Sequence, residues 1–282
     1  MVPVEWEAVA DAVHRLSPIS LDDVLAAAEL QTRIDRKYIV PLGTFLALLD
    51  RMDDELAALQ IEERRLFRYE SVYFDTPELT AYRQHAHGRR RRVKVRTRTY
   101  LDSGECLLEF KRVGARGETV KERYPYCPAA RARLDDPARA LAAQRVGCSI
   151  DASELHPVLT VAYRRATLVD PARGTRLTCD VDLRFEDRRG NSCAPLPGAV
   201  IVESKTVGTE SPVDRVLRGL GRRPVPLSKY CVGMAILDPA LPANRWNREL
   251  RQHFGWEPHR DRLDTARPPG VDDVPLRSAV LR

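Results

Sequence analysis

Residues 92–100 read Arg92-Val93-Lys94-Val95-Arg96-Thr97-Arg98-Thr99-Tyr100. In an extended chain Arg92, Lys94, Arg96 and Arg98 share one face, and Val93, Val95, Thr97 and Thr99 share the other. Leu101-Asp102-Ser103-Gly104 follows as a hairpin turn. Residues 105–112 return as its partner, with Glu109 and Lys111 in phase. A glycine-containing turn at 113–119 leads to a third strand, 120–126, with Lys121 and Arg123 in phase. A single strand of this kind has a solvated outer face. Several in one chain, carrying nearly all of its lysines, point instead to a polar interior, so a closed or nearly closed antiparallel β structure is expected.

The same alphabet continues outward. Strands are expected at 68–75, 158–169, 175–185 and 199–205, with Lys205 at the end of the last. Residues 5–31 read as a helix, with Ser20 a candidate N-cap and Asp22 and Asp23 in a first turn. Residues 42–59 read as a second helix, with Phe45, Leu48, Leu49, Met52 and Leu56 at helical spacing. Further helices are expected at 77–87, 128–146 and 212–220, and another element begins at Ser228. The division is a helical lead-in over 1–32, a β domain over 33–238, and a tail over 239–282. That tail is rich in Pro, Arg and Asp and reads as poorly ordered.

Composition narrows the function. The chain has 282 residues, 30% of them charged, with a net charge of +6, which suits a globular protein with an anionic partner. Its longest stretch free of Asp, Glu, Lys and Arg is 191–202, short of the ~20 apolar residues of a spanning helix. The first residues lack the basic start and apolar run of a signal peptide. The six cysteines contain no CxxC pair, so a reduced cytoplasmic setting is expected. Of the 46 basic residues only six are lysine: Lys37, Lys94, Lys111, Lys121, Lys205 and Lys229. The Arg89–Arg92 run enters a strand directly, without interleaved aromatics, so nucleic acid is not the expected partner.

A lumen lined by guanidinium and ammonium groups needs an anion, because confined like charges repel and are costly to desolvate. Arginine forks fit tetrahedral oxyanions. Many cations with one or two carboxylates suit a polyanion plus a divalent metal. No Walker A, GxGxxG or kinase catalytic-loop motif is present. Gly114-Ala-Arg-Gly117 is too short for a phosphate-cradling loop.

Nine stretches in order resemble the VTC domain, the polyphosphate polymerase domain of the triphosphate tunnel metalloenzyme superfamily. They are Arg33-Ile-Asp-Arg-Lys37-Tyr38, Ser71-Val-Tyr-Phe-Asp75-Thr76, Lys94-Val-Arg96-Thr-Arg98-Thr-Tyr100, Leu108-Glu109-Phe-Lys111, Val120-Lys121-Glu-Arg123, Pro157 through Tyr163 to Arg165, Arg176-Leu-Thr-Cys-Asp180, Val202-Glu203-Ser-Lys205 and Leu227-Ser228-Lys229-Tyr230. The resemblance implies an α+β fold, an eight-stranded antiparallel β tunnel with flanking helices. It also implies an enzyme that extends polyphosphate from ATP with a divalent metal, Mn2+ or Mg2+.

Carried onto this sequence, the resemblance gives Arg96, Arg98, Lys111, Lys121, Arg165, Arg176 and Lys229 catalytic roles. Lys37, Lys94, Tyr163, Lys205 and Ser228 become substrate contacts, and Glu203 becomes the metal ligand. ATP and polyphosphate are the implied partners. A membrane partner protein is compatible with this, whereas the chain itself is not expected to insert. Asp75 reads as a cap of the following helix. Asp180 and Asp182 are secondary candidates for the metal, and Glu109 either binds metal or pairs with a basic neighbour. The related CYTH-type triphosphatases open with ExExK, where this chain has Arg33, Asp35 and Lys37, which favours the polymerase reading over hydrolysis. A non-catalytic polyphosphate- or nucleotide-binding module is the other reading, because the same cations bind without turnover.

Overall fold

The computed structural model describes residues 5–27, 34–113, 119–206 and 210–257. In chain order the elements are α1 (Glu5–His14), β1 (Ser17–Ile19), α2 (Leu21–Ala27), β2 (Ile34–Pro41), α3 (Leu42–Asp50), β3 (Ala57–Leu59), β4 (Phe67–Asp75), α4 (Thr80–Ala86), β5 (Val93–Tyr100), β6 (Cys106–Val113), β7 (Thr119–Tyr126), α5 (Asp136–Arg145), β8 (His156–Asp170), β9 (Thr175–Asp187), β10 (Ser192–Cys193), β11 (Ala199–Thr206), α6 (Pro212–Gly219), α7 (Lys229–Leu237) and α8 (Asn247–Phe254).

Eight strands form one path, β2-β11-β9-β8-β4-β5-β6-β7, with every neighbouring pair antiparallel. The sheet has eleven strands, not the eight expected: β3 adds to β8, β1 pairs parallel with β3, and β10 adds to β9.

Alternation then sorts side chains between two very different faces. Outward Tyr38, Val40, Val200, Val202, Leu177, Cys179, Ala166 and Leu168 join one apolar cluster with residues of α1, α3 and α6. Outward Val72, Phe74, Val93, Val95, Leu108 and Phe110 join another with Ala138 and Ala142 of α5. Hydrophobic burial therefore lies outside the wall, which frees the inner face for charge.

At one end the inner face turns apolar and receives α7. Ile39, Leu159, Val161, Leu183, Phe185 and Ile201 surround Tyr230, Cys231, Val232, Met234 and Ala235. A helix buried on all sides is a core element, and this one fills the sheet's concavity. A β-bulge makes its socket. Between Ala162 and Arg164 of β8, the single residue Tyr163 opposes two of β9, Asp182 and Leu183, and Asp182 takes φ 52°. Arg176, Thr178 and Asp180 face inward before the bulge, and Leu183 and Phe185 after it. Asp182 is displaced outward to Arg164 at 3.1 Å, which removes it as a metal candidate. A Cβ at Gly233 of α7 would lie 2.5 Å from Phe185 Cδ1 and 2.9 Å from Leu159 Cδ2, so only glycine seats there.

The expected helix over 5–31 is interrupted at Ser17–Ile19, where Pro18 cannot continue it; residues 28–33 lie outside the described residues. The expected helix over 42–59 stops at Asp50, and Ala57–Leu59 pairs as β3. The 114–117 turn is outside the described residues. The largest correction concerns the tail. Leu241, Trp246, Leu250, Phe254 and Trp256 are buried in the cluster that holds α7. Trp256 Nε1 donates to the Ala235 carbonyl at 2.9 Å, and Tyr82 Oη donates to the Pro242 carbonyl at 3.1 Å. Residues 239–257 are thus part of the fold, and 258–282 lie outside the described residues.

Phe254→Ala is expected to lower the unfolding free energy by about 3–5 kcal/mol, as for a large buried aromatic, and Gly233→Ala by about 1–3 kcal/mol through overpacking. Urea titration measures both. An unchanged midpoint for Phe254→Ala would mean that this segment does not support α7.

Candidate functional site

Three carboxylates organise the inner wall. Glu109 on β6, 1% exposed, is shared most widely. Its Oε2 accepts from Arg96 Nε at 2.7 Å and pairs with Arg96 Nη2 at 2.5 Å. Its Oε1 pairs with Lys121 Nζ at 2.7 Å and Arg123 Nε at 3.3 Å, and Arg98 Nε stands 3.8 Å from Oε2. Burial pushes this carboxyl up, but Arg96, Arg98 and Lys121 outweigh it and hold it far below the usual range. The residue pairs with bases, as one of its two sequence readings had it.

Asp180 on β9 accepts a fork from Arg165 on β8, Nε to Oδ1 at 2.5 Å and Nη2 to Oδ2 at 2.8 Å. Lys229 reaches the same carboxylate from the first turn of α7. Against burial, Arg165 and Lys229 bring it to about 2. Glu203 on β11 lies between two ammonium groups, Lys37 at 3.3 Å and Lys205 at 3.7 Å. Burial opposes its ionisation, and Lys205 and Lys37 overcome that.

Aromatic rings fix the guanidinium planes. Tyr69 and Tyr163 stack with centroids 5.2 Å apart. Arg165 lies over both, at 5.4 and 5.2 Å, and Arg98 over Tyr69 at 5.9 Å. Lys229 Nζ stands 4.9 Å from the Tyr163 centroid, and Arg96 donates to Tyr73 Oη at 2.9 Å. Such contacts hold cations near an apolar surface without neutralising them.

Eleven basic groups thus share the inner side: Lys37, Lys94, Arg96, Arg98, Lys111, Lys121, Arg123, Arg165, Arg176, Lys205 and Lys229. They face four carboxylates, Asp35, Glu109, Asp180 and Glu203. Lys94 and Lys111 are direct register partners, and neither has a carboxylate partner among the described residues. Burial, then Lys111 and Lys37 nearby, pushes Lys94 down to about 8. Burial and Lys37 lower Lys111. Burial and Arg98 bring Lys121 to about 6 despite Glu109. Burial, with Arg176 next, brings Lys205 to about 8 although Glu203 opposes this.

Twelve of the thirteen residues nominated from sequence converge here, with Arg176 opposite Lys205 in register. Ser228 borders the cavity at the end of the wall, and its Oγ also accepts from the Cys231 amide at 3.3 Å and caps α7, so it positions Lys229. Asp75 caps α4, accepting from the Ala81 and Tyr82 amides at 2.8 Å each. It also accepts from Tyr230 Oη at 2.5 Å. Sequence reading missed Tyr69, Arg123 and the central role of Asp180; Arg123 alone carried a signal, its phase with Lys121. No group of three or more His, Cys, Asp or Glu side chains suited to a metal occurs among the described residues. No helix among them is long and apolar enough to cross a membrane.

The wall opens into a cavity of about 330 Å³ bounded by Asp35–Lys37, Lys94, Lys111, Pro224–Ser228, Arg245 and Trp246.

An antiparallel sheet wrapped around a cationic interior, with its apolar packing on the outside, defines a tunnel-type architecture. The family model of the VTC domain matches residues 32–238, and the chain belongs to that family. Solved structures with a similar course include a candidate adenylate cyclase from Bacillus halodurans, with 17% identity and a TM-score of 0.45, covering 70% of this chain and 93% of that one. Another is HpAC1 of Hippeastrum, a candidate adenylyl cyclase described as having a dominant triphosphatase activity, with 15% identity and a TM-score of 0.44, covering 72% and 96%. No curated protein sequence matches the chain.

Two measurements test this electrostatic description. With lysine pKa values depressed in the fold, the unfolded chain binds more protons between pH about 8 and 10. Those groups therefore add stability to the empty protein as pH rises through that window. Anion binding needs the protonated lysines, so tripolyphosphate affinity should fall from pH 7 to 9. Calorimetry at pH 8 in buffers of different ionisation heat should show proton uptake, reduced by Lys205→Met. Absence of uptake would contradict the depressed lysines. Glu109→Gln should destabilise the empty protein by about 3 kcal/mol, since it leaves buried charges uncompensated, and tripolyphosphate should recover part of the loss in a thermal shift assay.

Proposed function

We propose that this protein is a metal-dependent polyphosphate polymerase that moves the γ-phosphoryl group of ATP onto the end of a polyphosphate chain. The observation that carries the reading is the excess of inward cations over carboxylates, with Lys94 and Lys111 side by side in register and neither in an ion pair with a carboxylate among the described residues. Membership of the VTC family supports it.

The donors around Glu203 are one carboxylate between two ammonium groups. They do not make a closed all-protein metal cage. They fit a divalent cation that arrives with phosphate oxygens, a common mode for Mg2+. Glu203 would supply its protein ligand, and such an ion adds charge neutralisation on the phosphates.

The chain's own residues do the remaining work. Arg96 and Arg98 from one wall, and Arg165 and Lys229 from the other, grip the triphosphate. Lys37, Lys111 and Lys205 hold the acceptor chain end. A terminal phosphate oxygen of that chain bonds to the γ-phosphorus. The bond from that phosphorus to the β–γ bridging oxygen breaks, and ADP leaves with the electron pair. No proton transfer and no side-chain nucleophile are required, because the barrier is repulsion and misalignment between anions. Tyr69 and Tyr163 keep the arginine forks oriented.

Synthesis from ATP with Mn2+ or Mg2+, followed on a polyphosphate-stained gel, tests the reading. Glu203→Gln should lower turnover about 100- to 1000-fold while tripolyphosphate binding persists. Arg98→Ala should weaken binding about tenfold or more, as for a charge-assisted contact, and slow synthesis as well. Wild-type synthesis by Glu203→Gln would overturn the role of that carboxylate. Tight tripolyphosphate binding without polymer under any divalent metal would identify a binding module, and release of inorganic phosphate instead would identify a triphosphatase.

A further inference from the structure

The cavity at the end of the wall is completed by residues beyond the family-matched segment. Arg245 and Trp246 lie after residue 238 and line it together with Arg92, Lys94 and His85. Trp246 is buried in the α7 cluster, which anchors the exposed Arg245 beside it. Arg245 Nη1 passes so close to the turn at Gly88 that a Cβ there would stand 3.4 Å from it. Gly88 has φ +64°, so the turn and the arginine fit together.

Three cations converge on this spot, and Asp35 is the one carboxylate in the lining of the cavity. Among the described residues, Arg92, Lys94 and Arg245 form no ion pair; Arg92 donates only to the Arg89 carbonyl, at 2.6 Å. His85 sits among them, its Nδ1 2.9 Å from the Ala81 carbonyl. That contact fixes Nδ1 as the donor and turns Nε2 away from the helix. Burial first, then Lys94, Arg92 and Arg245, push this imidazole down to about 3, so it stays neutral and adds no repulsion. Lys94 is one inward position before Arg96 on β5, about 7 Å along the strand. The cluster is therefore a separate station from the Glu109 centre, within reach of the same extended anion.

We propose that Arg92, Lys94 and Arg245 form an outer subsite that grips phosphate units of a polyphosphate chain several residues from its reacting end. The assignment rests on the polyphosphate reading of the inner wall. Its consequence is selective retention of long chains: tripolyphosphate fills the inner station alone, whereas a longer chain fills both.

The test is binding by the full-length protein, independent of turnover. Calorimetry with tripolyphosphate and with a long-chain polyphosphate is compared for wild type, Arg245→Gln and Arg92→Gln. Arg251→Gln, an exposed arginine on α8 outside the cavity, is the control for net charge. Arg245→Gln and Arg92→Gln should each lower long-chain affinity at least tenfold, several times more than tripolyphosphate affinity, while Arg251→Gln changes neither. Where polymer is made, both cavity variants should yield shorter products. Equal losses for the two ligands, no loss, or the same loss in Arg251→Gln overturns the subsite. So does a single-stranded RNA of matched charge that binds more tightly than polyphosphate and is the ligand lost in Arg245→Gln. A wild type that makes no polymer but shows the selective long-chain loss would retain the subsite and reject only the polymerase reading.

Discussion

Repulsion among confined cations is the constraint on which this architecture turns. Eleven basic groups point toward one partly buried space, where each charge feels the others more strongly than at an open surface. Glu109, Asp180 and Glu203 make that tolerable because each is shared between cations on different elements. These shared acids also act as ties: Glu109 joins β5, β6 and β7, Asp180 joins β8, β9 and α7, and Glu203 joins β2 and β11. The neutralisation is incomplete, and the remaining charge is available to a polyanion. Any ligand that binds only the folded state stabilises it in proportion to the logarithm of its concentration, so a polyanion held by these cations would add to the stability of the fold.

The apolar outer face follows from the same constraint. A strand has two faces, and an inner face given to charge leaves only the outer one to drive folding. That is why α1, α3 and α6 cover one side and α5 another. Helix α7 is the exception, as it enters the concavity. It presents Lys229 at its N-terminus, where unsatisfied backbone N–H groups add to the positive field. Ser228 takes the Cys231 N–H at that end, and Tyr230 binds the buried Asp75, so the helix is held at its first turn.

Much of the wall was legible because period-two alternation is a strong local signal. In β5 and β7 basic residues at every second position, and in β6 and β11 a carboxylate followed two residues later by a lysine, marked both the strand and its inward face. What alternation cannot show is which acid serves which base. Asp180 looked equivalent to Asp182 until the bulge separated them, one inward under Arg165 and the other outward beside Arg164. The segment 239–257 was misread for a related reason. Leu241, Trp246, Leu250, Phe254 and Trp256 are distributed over a turn and two short helical pieces, so no single period reveals a buried face. With that segment went Arg245, whose place at the cavity depends on a fold that local sequence does not encode. Residues 42–59 show the opposite failure, since helical spacing continued on paper past Asp50 while the chain turned to pair as β3.

The bulge at Asp182 gives β9 two reading frames. Upstream, the even-numbered residues Arg176, Thr178 and Asp180 belong to the inside; downstream, the odd-numbered Leu183 and Phe185 do. Ironing out the bulge with every residue kept would impose a single frame and turn Arg184 and Glu186 inward, where α7 now sits, whereas loss of the bulged residue itself would leave Leu183 and Phe185 facing in. The polar chamber and the oily socket are thus neighbours on one strand, separated by a phase shift of one residue. An insertion or deletion in the regular part of β9 is a different kind of event from a substitution, because it changes what an entire half-strand faces while leaving every other side chain the same.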